Sequence, residues 1–205
     1  MLDSYSLEML FSIASFGFAS ALTPGPNNIM LLSSGLTFGY KRTVPHILGV
    51  MSGFTSMVIC IGLGFGTIFE LFPMLFTVLK VIGISYLLWM AWHIANTSGS
   101  LSIKVSNNNK PFTFLQGATF QLVNPKAWIV AITAVVSFTT AAHIAFTQVL
   151  IIAFIFLIAG SIACNSWTIG GVYLNKLIKN ERRIKIFNVC MAILIVASVL
   201  PFMFE

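Results

Sequence analysis

Residues 22–54 read "LTPGPNNIMLLSSGLTFGYKRTVPHILGVMSGF", and this stretch from Leu22 to Phe54 decides the architecture. It holds two apolar segments separated by a basic pair, Lys41 and Arg42, and the first is interrupted by Thr23-Pro24-Gly25-Pro26-Asn27-Asn28. Proline has no N–H and its ring crowds the carbonyl four residues earlier, so Pro24 frees the carbonyl of Ser20 and Pro26 that of Leu22. Gly25 tolerates backbone angles that other residues avoid. A second interruption, Asn124-Pro125-Lys126, lies in another long apolar run. There Pro125 frees the carbonyl of Gln121 and pushes Asn124 toward an extended conformation.

Outward from these breaks, the 205 residues are 58% hydrophobic and 8% charged, with a mean hydropathy of +0.96. A water-soluble surface needs roughly 25% charge, so the solvent for most of this chain is lipid. A helix crosses the hydrocarbon core with about 20 apolar residues. Six segments qualify: Leu7–Thr37, Val44–Phe69, Leu71–Ala95, Phe112–Thr140, Ala145–Leu174 and Ile184–Phe204. The first, fourth and fifth exceed one straight crossing and must tilt, break or extend beyond the bilayer. Asp3 and Glu8 precede the first run where a cleaved signal would carry bases, so that run reads as a span. One membrane domain, 1–205, is expected, with repeat one over about 1–95, a linker at 96–111 and repeat two over about 112–205.

The formal charge of +6 reports topology rather than nucleic-acid binding, because the bases follow the loops. Lys41 and Arg42 fall between spans one and two, Lys104 and Lys110 between three and four, and Lys176, Lys179, Arg182, Arg183 and Lys185 between five and six. The opposite side receives Asp3, Glu8, Glu70 and Glu205. With bases on the cytoplasmic side, both termini lie outside. Three spans per half is an odd number, so equivalent helices run in opposite directions. The fold class is therefore all-α, six transmembrane helices as two inverted three-helix repeats, with helices 1 and 4 broken by proline motifs.

Freed carbonyls survive in a bilayer only beside protein or a wet cavity. A helix restarting after a break presents unpaired N–H groups and a partial positive charge, which suits a carboxylate. Asn27 and Asn28 add amide donors and acceptors at one restart, and Lys126 adds a full positive charge at the other. A zwitterionic amino acid has the matching chemistry. The bland alternative is a pair of structural proline kinks. Lys80 lies about ten residues into the third span, too deep to reach water easily, so it faces the bundle interior.

An intramembrane enzyme would need a nucleophile with a base, an acid pair or a metal motif. The chain has one aspartate and neither His-Glu-x-x-His nor Gly-x-Ser-x-Gly, so no enzyme, metal or cofactor is expected. Cys60, Cys164 and Cys190 read as packing residues without metal spacing. His46 and His93 near inner span ends, and His143 in an outer loop, read as interfacial, although His46 also has the chemistry of a proton carrier. Trp89 and Trp92 read as interface anchors. Gly35/Gly39, Gly49/Gly53 and Gly62/Gly66 have small-xxx-small spacing for helix packing. Channel or accessory-subunit roles stay open, as does a homo-oligomer.

The Leu22–Phe54 string resembles the amino-terminal signature of the LysE/RhtB superfamily of amino-acid exporters. "LKVIGISYLLWMAWHI" (Leu79 to Ile94) and "FLQGATFQLVNPKAWI" (Phe114 to Ile129) are similar to further family motifs in family order. The resemblance touches four of the six spans. It implies efflux of an amino acid or derivative from the cytoplasm across a bacterial inner membrane, driven by protons. It marks Pro24, Gly25, Pro26, Asn27, Lys80, Gly83, Tyr86, Asn124, Pro125 and Lys126. Many members carry aspartate directly after the Pro-Gly-Pro, where this chain has Asn27, so proton coupling lacks its obvious carrier. The Pro-Gly-Pro-Asn-Asn variant is similar to that of the cysteine/O-acetylserine exporter subgroup, which favours small neutral substrates.

Overall fold

The apolar segments are helical in the computed structural model, which describes residues 6–65, 73–96, 110–139, 146–177 and 181–203. In chain order the helices are α1 (Leu7–Leu22), α2 (Pro26–Phe38), α3 (Tyr40–Cys60, continued by a π turn at Ile61–Phe65), α4 (Pro73–Asn96), α5 (Phe114–Val123), α6 (Pro125–Phe138), α7 (Phe146–Leu177) and α8 (Glu181–Met203). The described residues contain no strand.

Both proline motifs act as helix breaks. Ser6 caps α1 by accepting from the Met9 amide at 3.2 Å, and the helix ends at Thr23. Pro26 then occupies the first position of α2, where a missing N–H costs nothing. Thr113 and Gln116 form a reciprocal capping box at the start of α5. Asn124, at φ −87° and ψ 106°, ends that helix, and Pro125 opens α6. The chain turns by 56° between α1 and α2 and by 70° between α5 and α6.

Two unbroken helical stretches, Tyr40–Gly64 and Phe146–Leu177, are long and apolar enough to cross a membrane, and the two bent pairs raise the number to four if each is one span. In α8 a shorter apolar stretch, Lys185–Ala197, lies within the described residues. This is a helical membrane protein. The basic pair after the first span is not in a loop: Gly39 alone separates α2 from α3, at φ +78°, and Lys41 and Arg42 stand exposed in the first turn of α3.

Small residues bring α2 against α7 and α3 against α5. A Cβ on Gly35 would fall on the Thr168 carbonyl, and one on Gly171 on the Leu32 carbonyl. Gly49 meets the Phe114 carbonyl in the same way, and Cβ atoms on Gly53 and Gly117 would lie 2.6 Å from Ala118 O and 2.8 Å from His46 O. Gly49/Gly53 thus packs as its spacing implies. The Gly35/Gly39 pair divides, since Gly35 packs and Gly39 makes the turn; Gly62 abuts Val149, and Gly66 is outside the described residues. Around these seams Ile13, Met57, Ala131, Ile152 and Phe156 form one apolar cluster, and Ile29, Met30, Phe120, Ala192 and Ile195 another.

Polar side chains add further ties between the helices. Ser34 and Thr43 are 3.0 Å apart between α2 and α3, and Ser33 donates to Asn188 of α8 at 3.2 Å. Tyr40 donates to Asn165, and Asn175 to the Leu36 carbonyl, joining the end of α2 and the start of α3 to α7. Trp89 and Trp92 face outward, as anchors do, whereas Cys60 and Cys190 are exposed rather than packed. Asp3, Glu70, Lys104, His143, Lys179 and Glu205 fall outside the described residues.

Candidate functional site

The two breaks meet. Lys126, the second residue of α6, donates its Nζ to the Thr23 carbonyl at 2.6 Å, joining positions 103 residues apart. Gly25 makes room for it: a Cβ there would sit 2.9 Å from Lys126 Cδ and 3.1 Å from Nζ. Asn27 and Gln121 make a second tie, each amide donating to the other at 2.9 and 3.2 Å. Gln121 also donates to Gly117 O at 2.9 Å, which fixes its orientation in the α3–α5 seam.

Several carbonyls at the two breaks are engaged by the protein itself. Asn28 Nδ2 donates to both Ala21 O and Thr23 O at 2.9 Å, so this side chain stitches the first break together. At the second, the Asn124 amide donates to Gln121 O at 3.3 Å. The carbonyl that Pro125 was expected to free is therefore engaged, because the chain closes a tighter turn before the break. Trp128 Nε1 covers the next one, Leu122 O, at 2.8 Å. Asn124 Oδ1 is the exception: it is a buried acceptor with no hydrogen-bond partner, on a residue 2% exposed.

These groups border a cavity of about 90 Å³. Water needs roughly 10–15 Å³ on this measure, so the space suits several heavy atoms of one small solute. Gly25, Pro26, Asn27 and Asn28 line it from the first break, Asn124 and Lys126 from the second. Both breaks thus present the first turn of a helix, where amides lack intrahelical carbonyls and the helix dipole is positive. With the Lys126 ammonium and no carboxylate among the described lining residues, the polar side of the cavity is electropositive. Ser20 and Ala21 of α1 and Ala127 and Val130 of α6 also line the cavity, and the wall from α3 and α7 is apolar: Val50, Met51, Phe54, Phe156, Leu157 and Ala163, with Gly160 and the Cys164 thiol among them.

Of the residues marked in the sequence, Gly25, Pro26, Asn27, Asn28, Asn124 and Lys126 come together here. Pro24 is exposed and Pro125 half-buried, and neither lines the cavity. Lys80, Gly83, Tyr86 and His93 lie on α4, their side chains outside the described residues. Gln121 was missed, although a glutamine inside an apolar run three residues before Asn124 was a visible signal. His46 is wholly buried in the α3–α5 seam, 5.1 Å from the Phe112 ring, and neither ring nitrogen has a hydrogen-bond partner among the described residues.

The family described as LysE type translocator matches residues 18–204. Among curated relatives, the cysteine/O-acetylserine efflux protein of Salmonella paratyphi A is 29% identical over 92% of this chain and 94% of its own length. The protein of the same name from Escherichia coli O1:K1 is 27% identical over the same shares. No solved structure matches significantly.

Proposed function

The chain belongs to the LysE type translocator family, a family of transporters rather than enzymes, and from that premise we propose that it exports a small neutral amino acid or derivative from the cytoplasm by proton antiport. The protein sits in a bacterial inner membrane as six spans in two inverted repeats, with both termini outside. It alternates access around the cavity between the breaks. Lys126 and the two helix N-termini receive the substrate carboxylate. The unpartnered Asn124 Oδ1 and the Asn27 amide oxygen face its ammonium. Asn28 keeps the first break in shape, and Pro24, Gly25, Pro26 and Pro125 create the geometry. Lys80, from the third span, is a second interior cation for the same anion.

The observation that carries this reading is a lysine without a carboxylate partner, reaching from one break to the other beside an unpartnered buried acceptor. A cation and an acceptor on one small cavity are complementary to a dipolar guest. The relatives named for cysteine and O-acetylserine efflux support a short, uncharged side chain.

Purified protein in proteoliposomes tests it. Preloaded cysteine or O-acetylserine should drive saturable counterflow of the labelled compound. Flux that rises linearly with concentration and shows no counterflow supports the channel alternative instead.

A further inference from the structure

Gly160 has no structural reason to be glycine. It lies in the interior of α7, where glycine is less favourable than alanine. The glycines at the tight seams, Gly35, Gly49, Gly53, Gly117 and Gly171, each meet a neighbouring backbone oxygen within 3 Å of an added Cβ. A Cβ on Gly160 would meet nothing within 4 Å. Its backbone is ordinary helix, with no positive φ to favour glycine.

That open space is the cavity. Phe156, Leu157, Gly160, Ala163 and Cys164 all line it. They follow the i, i+1, i+4, i+7, i+8 spacing of one helical face, and Gly160 stands at the middle of the stripe. The cavity's polar side chains come from the two broken helices, whereas α3 and α7 supply apolar groups and the thiol. A solute whose charged groups sit at the breaks therefore directs its side chain toward α7. An unpaired charge is costly against such a wall, so the side chain is uncharged.

From this geometry we infer that Gly160 is the specificity-determining residue that sets how bulky the exported amino acid's side chain can be. The inference rests on the exporter reading and deepens it. A methyl group at this position occupies the cavity without disturbing a neighbour, so it excludes long side chains while leaving the cation, the amides and the fold in place. Leu157, one turn away on the same face, is the neighbour whose removal restores the lost room.

The experiment compares wild type, Gly160→Ala, Gly160→Val and the Gly160→Ala/Leu157→Ala double variant. Each is purified, checked for monodispersity and reconstituted for counterflow of alanine, cysteine, O-acetylserine and leucine. Gly160→Ala should retain the shorter substrates and lose the longer ones by about 10-fold or more in kcat/KM, the usual discrimination from one methylene-sized group. Gly160→Val should move the cut-off further down the series, and the double variant should regain the longer substrates. A uniform change across all four, or no change, with active wild type overturns the role of Gly160 and leaves the exporter reading standing. A wild type that carries none of the four overturns both.

Discussion

Lys126 Nζ lies 2.6 Å from the carbonyl oxygen of Thr23, and among the described residues the cavity lining beside this bond contains no carboxylate to neutralise the ammonium. An interior lysine held only by a neutral carbonyl is poised for an anion. Lys126→Met should cut efflux of a labelled amino acid by roughly 10–150-fold, the equivalent of one charge-assisted hydrogen bond. Gly25→Ala should give a smaller, several-fold loss, because its methyl displaces the lysine stem without straining the extended backbone at that position. Efflux per unit of protein at the membrane reads both, and normal rates from Lys126→Met remove this residue from the mechanism.

The reciprocal Asn27–Gln121 pair ties α2 to α5. Replacing either side chain by alanine strands the other's donor or acceptor in a buried seam, at a cost of about 1–3 kcal/mol. Removing both should cost less than the two single changes added together, with a coupling of about 0.5–3 kcal/mol. Thermal unfolding in detergent across the four proteins of the double-mutant cycle measures it. Strict additivity means that the two amides do not hold each other.

Much of this was legible in the residues themselves. The helix breaks at Pro26 and Pro125 arise because ring closure and the missing N–H act locally, whatever surrounds them. The pairing of Lys126 with Thr23 was not legible, since it joins positions 103 residues apart and depends on how two bends dock. For the same reason the two bonds that Asn28 donates within the first break were not legible. The burial of His46 was not legible either, because it depends on α5 closing over it at Gly117, a contact with no local signature. Gly160 could not be told from the packing glycines by spacing, because a vacancy has no sequence pattern.

The close seams make a contrasting set of glycine predictions. Gly49→Ala and Gly171→Ala drive a methyl into a neighbouring carbonyl, and overpacking of this kind costs about 1–3 kcal/mol. Both should lower the unfolding temperature and the yield of folded protein, while Gly160→Ala should not. Equal thermal stability of all three contradicts the close approach of α2 to α7 and of α3 to α5.

The proposed orientation rests on the bases at Lys41, Arg42, Arg182, Arg183 and Lys185. In a background where Cys60, Cys164 and Cys190 are serine, Lys41→Cys should react with a membrane-impermeant maleimide only after the cells are opened. Ser6→Cys should react in intact cells. Both positions are exposed, so access depends on the side of the membrane alone. Labelling of the two on the same side disproves the assigned orientation.

Proton coupling calls for a group in the interior that can exchange a proton, and Asn27 leaves the first break without a carboxylate. His46 is the strongest candidate: buried, with both ring nitrogens unpartnered, and four residues before Val50, which lines the cavity. In vesicles with the membrane potential clamped, collapsing the pH gradient should slow export by the wild type. His46→Gln keeps the size and polarity of the site but cannot carry a proton at physiological pH. Counterflow, which needs no net proton movement, should survive in that variant, while gradient-driven export falls about 10-fold, the equivalent of 1.4 kcal/mol of lost coupling. Equal retention of both activities excludes His46 as the carrier, and wild-type export that ignores the pH gradient excludes proton antiport altogether.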